Sequence, residues 1–121
     1  MGGFLLKLVK SQMPTPLVRE DGQSLESWAK DFRKYNRETS KDLKIAKRVT
    51  QTKRDLSGVK CWEFSPQSIP SDKPAQNAVV YFHGGGYVSG DYVTHRSLAS
   101  HIAKILQLPV YLVEYRRGPE H

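Results

Sequence analysis

The stretch NAVVYFHGGGYVSGD, residues 77–91, decides how the chain is read. Ala78, Val79, Val80, Tyr81 and Phe82 form an uncharged run of β-branched and aromatic residues. A short apolar run of this kind predicts a strand buried on both faces. It stops at His83, and Gly84, Gly85 and Gly86 follow. Adjacent glycines are costly in backbone entropy, so three of them imply dihedrals or close approaches that a side chain forbids. A phosphate-cradling loop is the other chemistry for such a turn. It needs Lys-Ser/Thr after its last glycine or G-x-G-x-x-G spacing, and neither occurs, because Ser89 stands where the third glycine belongs and Gly90 comes one position late.

Outward from this stretch, the segment 78–113 reads as strand, helix, strand. Thr94 is a candidate cap for a helix whose broad apolar face carries Leu98, Ala99, Ile102, Ala103, Ile105 and Leu106, ending at Gln107-Leu108-Pro109. Val110 to Val113 is a second buried strand, and strands joined by such a crossover run parallel. Upstream, Ala46–Leu56 and Val59–Phe64 flank Ser57-Gly58 and predict a hairpin. The segment 65–76, with three prolines, is a loop.

Strand, His-Gly-Gly-Gly, loop and helix together resemble the oxyanion-hole segment of hormone-sensitive-lipase-like esterases, a family of α/β-hydrolases. The tail strengthens the resemblance. Tyr115, Arg116, Pro119, Glu120 and His121 match that family's Tyr-Arg-Leu-Ala-Pro-Glu-His stretch after the fourth strand, with Arg117 and Gly118 replacing Leu and Ala. Similarity is clear over about residues 77–121. It implies the N-terminal part of an α/β-hydrolase fold, about four of its eight strands, with N-terminal cap helices. On this reading residues 1–43 are a helical cap segment and 44–121 a partial hydrolase core.

The resemblance also implies a chemistry. Acyl transfer places negative charge on a carbonyl oxygen, and backbone amides aimed at that oxygen stabilise it. The implied donors are the N–H groups of Gly85 and Gly86, with Gly84 admitting their approach, His83 bracing the loop by hydrogen bonding, and Tyr87 lining the substrate pocket. The family's nucleophile lies in a G-x-S-x-G turn, and its triad follows in the order Ser, Asp/Glu, His. No G-x-S-x-G occurs here, so none of the triad is expected in this stretch, which alone is expected to be inactive. The expected ligand is a small-molecule carboxylic ester, with no cofactor. The second reading, from another class, is a truncated, non-catalytic interaction module whose basic half meets an acidic partner. The downstream reading frame discriminates the two.

Composition sets the remaining bounds. At 121 residues, 38% hydrophobic and 26% charged, the chain is one domain's worth at most. The net charge of +7 lies in residues 1–60, with fourteen Lys/Arg against seven Asp/Glu, whereas 61–121 hold five of each. These basic residues are dispersed in runs of at most two, without interleaved aromatics, so a solvated face is favoured over nucleic-acid binding. The single Cys61 excludes an internal disulfide and reads as a packing residue. His95 and His101 lack the i, i+4 spacing of a zinc pair and no H-E-x-x-H exists, so no metal is expected. No apolar run of about eighteen residues predicts a membrane span. The start lacks a cleavage site, and Leu6 stands where myristoylation needs Ser or Thr, so a cytoplasmic location is expected. Residues 4–13 predict a short amphipathic helix, and Leu25, Trp28, Ala29, Phe32 and Tyr35 after Ser24 a longer one with a charged opposite face. Finally, a strand 78–82 paired only with 110–113 leaves an open edge, which invites aggregation.

Overall fold

A computed structural model describes residues 18–121; the predicted helix at 4–13 lies outside them. In chain order the elements are α1 (Leu25–Ser40), β1 (Val49–Leu56), β2 (Val59–Pro66), β3 (Val79–Phe82), α2 (Tyr92–Leu106) and β4 (Val110–Val113). The four strands form one sheet in the order β1-β2-β4-β3. β1 and β2 are the predicted hairpin, antiparallel in register from Val49↔Pro66 to Leu56↔Val59. Its two-residue turn has both central residues at positive φ, Ser57 at 55° and Gly58 at 90°, which matches the twist of the flanking strands. The Asp55 carboxylate accepts from the Gly58 amide at 2.7 Å and closes it.

β4 pairs antiparallel with β2 and parallel with β3, the latter through Val79↔Val110 to Phe82↔Val113. A parallel pair needs a long crossover, and α2 supplies it. This helix lies against β2 and β4, and Ala99 and Ala103 let it approach closely. The core is Phe64, Val110 and Leu112 under those two alanines, bordered by Val79, Tyr81 and Trp62. Tyr92, at the start of α2, stacks on Trp62 with ring centroids 4.1 Å apart. Cys61 is a buried free thiol in mid-strand, as a packing role requires.

Two expectations are corrected. α2 begins at Tyr92, capped by Asp91; Thr94 is the third helical residue, and its hydroxyl closes the capping box by accepting from the Asp91 amide. β3, expected to be buried on both faces, buries one. Val79 and Tyr81 face the core, while Val80 is 58% and Phe82 65% exposed. The cause is position. β3 is the last strand of the sheet, and α2 covers only the face that carries Val79 and Tyr81, so an apolar run written for a two-sided interior has one side bare. Apolar residues on an unpaired edge template intermolecular pairing. Self-association of this chain should rise with concentration, and Phe82→Lys should suppress it; equal light scattering from both proteins at matched concentration would refute the edge as its origin.

α1 starts at Ser24, whose hydroxyl accepts from the Ser27 amide at 3.1 Å. Ala29 is buried, and Trp28 and Phe32 stack at 5.5 Å. The helix packs on α2. Its polar side, expected only as a charged outer face, instead sends Arg33, Asn36 and Arg37 to the loop after β3.

Candidate active site

β3 and β4 run parallel and end level, at Phe82 and Val113, so the segments that follow them meet at one edge of the sheet. The carboxyl ends of parallel strands are where open α/β sheets place their ligands. Here the loop 83–91 and the tail 114–121 come together. His83 is buried, and its ring stacks on Tyr115 at 4.3 Å. The Tyr115 hydroxyl donates to the His83 carbonyl. His83 Nδ1 lies 2.9 Å from the Gly84 carbonyl, an acceptor only, so Nδ1 carries the proton.

The hydrogen bonds behind the loop determine where its amides point. In a trans peptide the C=O and N–H of one plane point in opposite directions, and every bond in this loop is trans. His83 holds the Gly84 carbonyl, which turns the Gly85 N–H the other way. The Gly85 carbonyl accepts from Val88 and Ser89 amides at 3.1 and 2.9 Å, which turns the Gly86 N–H away in the same manner. Among the described residues neither the Gly85 nor the Gly86 amide has a protein acceptor. In front of the loop lies an open pocket of about 490 Å³, lined by Phe82, His83, the three glycines, Tyr87 and Tyr115. Tyr87, at φ 61°, stands on its rim and is 80% exposed.

The need for glycine is uneven. Gly85 has φ 131°, and a Cβ there falls 2.2 Å from the Ser89 carbonyl oxygen. At Gly84 a Cβ meets no protein atom within 4 Å, so within the protein this residue serves the loop through its carbonyl, held by His83. Gly90, passed over in the sequence as an ordinary loop residue, is as constrained as Gly85: its φ is 93° and a Cβ falls 2.3 Å from both the Gly84 oxygen and His83 Nδ1. Its only signal was a glycine one residue before a helix cap.

An outer layer of polar groups holds the loop. Asn36 donates to the buried Ser89 hydroxyl at 2.6 Å, and Arg117 donates to the Gly90 carbonyl. Arg37 bonds Asp91 at 2.5 Å. Burial alone would raise the Asp91 pKa, but hydrogen bonds from Arg37 and the Thr94 amide, with the Arg37 and Arg117 charges, hold it below the ordinary carboxylate value. Glu120 is brought down to about 2, chiefly by hydrogen bonding from Arg33. His95 stacks on His83 at 5.0 Å, and its pKa is lowered, first by burial and then by His83.

These shifts predict acid sensitivity. A carboxylate with a lowered folded pKa contributes stability that is complete above its unfolded value and is lost as pH falls through the folded one. A histidine with a lowered folded pKa costs stability as pH falls through its unfolded value, because the unfolded chain then binds the extra proton. All act in one direction. The urea midpoint should drop below pH 6.5 and again below pH 4.5. His95→Gln should remove the first step; an unaltered profile between pH 5 and 7 would exclude His95 as its source.

Among the described residues no serine, histidine and carboxylate share a hydrogen-bonded triad, and no group of three potential ligands is placed to hold a metal. Ser89, the serine nearest the glycines, is buried against Asn36. No described helix is long and apolar enough to cross a membrane.

Comparison with known proteins agrees with this fold. Residues 79–121 match the family described as the alpha/beta hydrolase fold. The chain is 42% identical over 53 residues to an ethyl acetate hydrolase of Pseudomonas putida, covering 42% of this chain and 17% of that protein. It is 41% identical over 56 residues to the esterase LipI of Mycobacterium tuberculosis, covering 46% and 17%. Among solved structures, an esterase/lipase from an uncultured bacterium superposes with a TM-score of 0.67 at 26% identity, over 97% of this chain and 36% of its own. EstE7, a hormone-sensitive-lipase homologue from a metagenome library, does so with a TM-score of 0.65 at 31% identity, over 74% and 29%. The chain thus spans about a sixth of the length of these curated relatives and about a third of these solved ones.

Proposed function

We propose that this chain, whose fold is the N-terminal part of an α/β-hydrolase of the hormone-sensitive-lipase-like family, supplies the oxyanion hole of a carboxylic-ester hydrolase. What supports the reading is that the Gly85 and Gly86 amides have no acceptor among the described residues and belong to a loop that lines an open pocket, with the carbonyls of the same peptide planes held by His83 and by the Val88 and Ser89 amides. Free amides held in place before the reaction cost no reorganisation when charge develops, which is what transition-state stabilisation requires. His83 and Tyr115 brace the loop, and Tyr87 borders the acyl or alcohol group. The substrate is a small carboxylic ester. The relatives named for ester hydrolysis support this class.

In the complete mechanism a serine attacks the ester carbonyl, a histidine accepts its proton, and the oxyanion moves into the space before Gly85 and Gly86. The described residues contain the last of these parts and lack the first two. Hydrolysis of p-nitrophenyl acetate and butyrate should therefore be at background for the 121-residue chain and robust for a form continued through its downstream reading frame to a G-x-S-x-G turn. An extended form that folds and yet leaves these esters intact would refute the proposal.

A further inference from the structure

We infer that Arg33 of α1 is the positioning residue of the glycine loop: it sets the direction of the Gly86 amide through two intervening peptide planes. The inference rests on the oxyanion reading for its functional meaning, but its geometry stands by itself.

One guanidinium ties three separated segments. Nε donates to the Val88 carbonyl at 2.6 Å. Nη2 donates to the Gly118 carbonyl at 2.5 Å and to Glu120 Oε2 at 2.8 Å, while Nη1 reaches Glu120 Oε1 at 2.7 Å. The planar fork satisfies a two-pronged carboxylate and two carbonyls at once, which the point charge of a lysine cannot do.

The relay follows from peptide planarity. Holding the Val88 oxygen orients the plane it shares with the Ser89 amide, and that amide bonds the Gly85 oxygen at 2.9 Å. Holding the Gly85 oxygen orients the plane it shares with the Gly86 amide, one of the two donors of the oxyanion reading, in a loop that lines the pocket. The neighbouring plane is pinned from the tail: the Gly118 amide donates to the Tyr87 carbonyl at 2.8 Å, and Val88 N–H in that plane also bonds the Gly85 oxygen. Arg33 also donates to the Gly118 carbonyl, so the same side chain anchors the residue whose amide pins this second plane. Glu120 secures the guanidinium from its far side. A residue of the N-terminal helix, far from the glycines in sequence, thus governs which way they offer their hydrogens.

The test is hydrogen exchange read by mass spectrometry on the 121-residue chain at low micromolar concentration, with the loop 83–91 compared against the hairpin 49–66. Arg33→Met should speed loop exchange about tenfold, the equivalent of one lost charge-assisted hydrogen bond, and leave the hairpin unchanged. Arg33→Lys should recover less than half of the protection. Arg54→Met, which removes a comparable ion pair with Glu63 on the hairpin, should leave the loop as it was. Unchanged loop exchange in Arg33→Met overturns the inference, and so does equal acceleration of loop and hairpin, which marks a general stabilising role. Should Arg33→Met fail to fold, Glu120→Gln decides: faster exchange confined to loop and tail supports the relay, and wild-type exchange overturns it. Ester hydrolysis has no part in this readout, so failure of the relay and failure of the oxyanion proposal give separate results.

Discussion

Gly85→Ala is expected to be severely damaging, matched in the loop only by Gly90→Ala, and Gly84→Ala next to it nearly silent. At Gly85 the backbone sits at φ 131°, a region that costs a non-glycine residue about 1–3 kcal/mol by itself. The added carbon also falls 2.2 Å from the Ser89 oxygen, closer than any real contact, so the turn has to open. Opening it breaks the Val88 and Ser89 bonds to the Gly85 carbonyl and releases the Gly86 amide with them. In the chain itself the result is read as a lowered urea midpoint and lost protection across 83–91. In a catalytically complete form, losing an oxyanion donor is expected to lower kcat by about 10²–10³-fold with KM little changed. Gly84→Ala adds a carbon into open space and should stay within about 0.5 kcal/mol of the parent. Equal penalties at the two positions would show that the turn described here is not the one the protein adopts.

The second large effect lies in the core. Phe64→Ala should destabilise the chain by about 3–5 kcal/mol, the usual cost of deleting a buried phenyl ring and leaving its space empty. Phe64 is fully buried between β4 and α2, against Val110, Leu112, Ala99 and Ala103. It also stacks near Tyr92, at 6.4 Å between centroids, and so joins the sheet to the first turn of α2. Few large side chains share that core, and the fully buried helix residues in it are Ala99 and Ala103, whose methyl groups cannot fill the gap. Native stability of a domain is itself only about 5–15 kcal/mol, so this one truncation removes much of it. Cooperative urea unfolding at low micromolar protein measures the loss; a shift below 1 kcal/mol would mean that Phe64 is not packed as described.

Much of the molecule was legible before any coordinates. The hairpin announced itself by Ser57-Gly58 between two β-rich runs, and α2 by an apolar repeat ending at Gln107-Leu108-Pro109; both are where they were expected, within a few residues. The glycine triplet and the tail Tyr115-Arg116 with Pro119-Glu120-His121 pointed to one family, and the fold agrees. The misread features have separate causes. The exposure of Val80 and Phe82 depends on what lies beside β3, and no residue within β3 encodes its neighbour. Asp91 displaced Thr94 as the cap because both are good capping residues three positions apart, and the two ends of a capping box cannot be ranked by propensity alone.

What the sequence by itself determined is therefore local: a strand, a glycine-rich turn, a helix and a second strand, each set by periodicity and backbone sterics over a few neighbouring residues. What only the tertiary structure decided is the hydrogen bonding that fixes the peptide planes of the Gly85 and Gly86 amides. Their carbonyl partners are held by a network that ends in Arg33 and Tyr115, residues 55 positions from Val88 and 32 from His83. Hydrogen bonds across such separations leave no spacing pattern in the chain, and they form only where packing has already brought a helix, a loop and a tail to the same edge of the sheet.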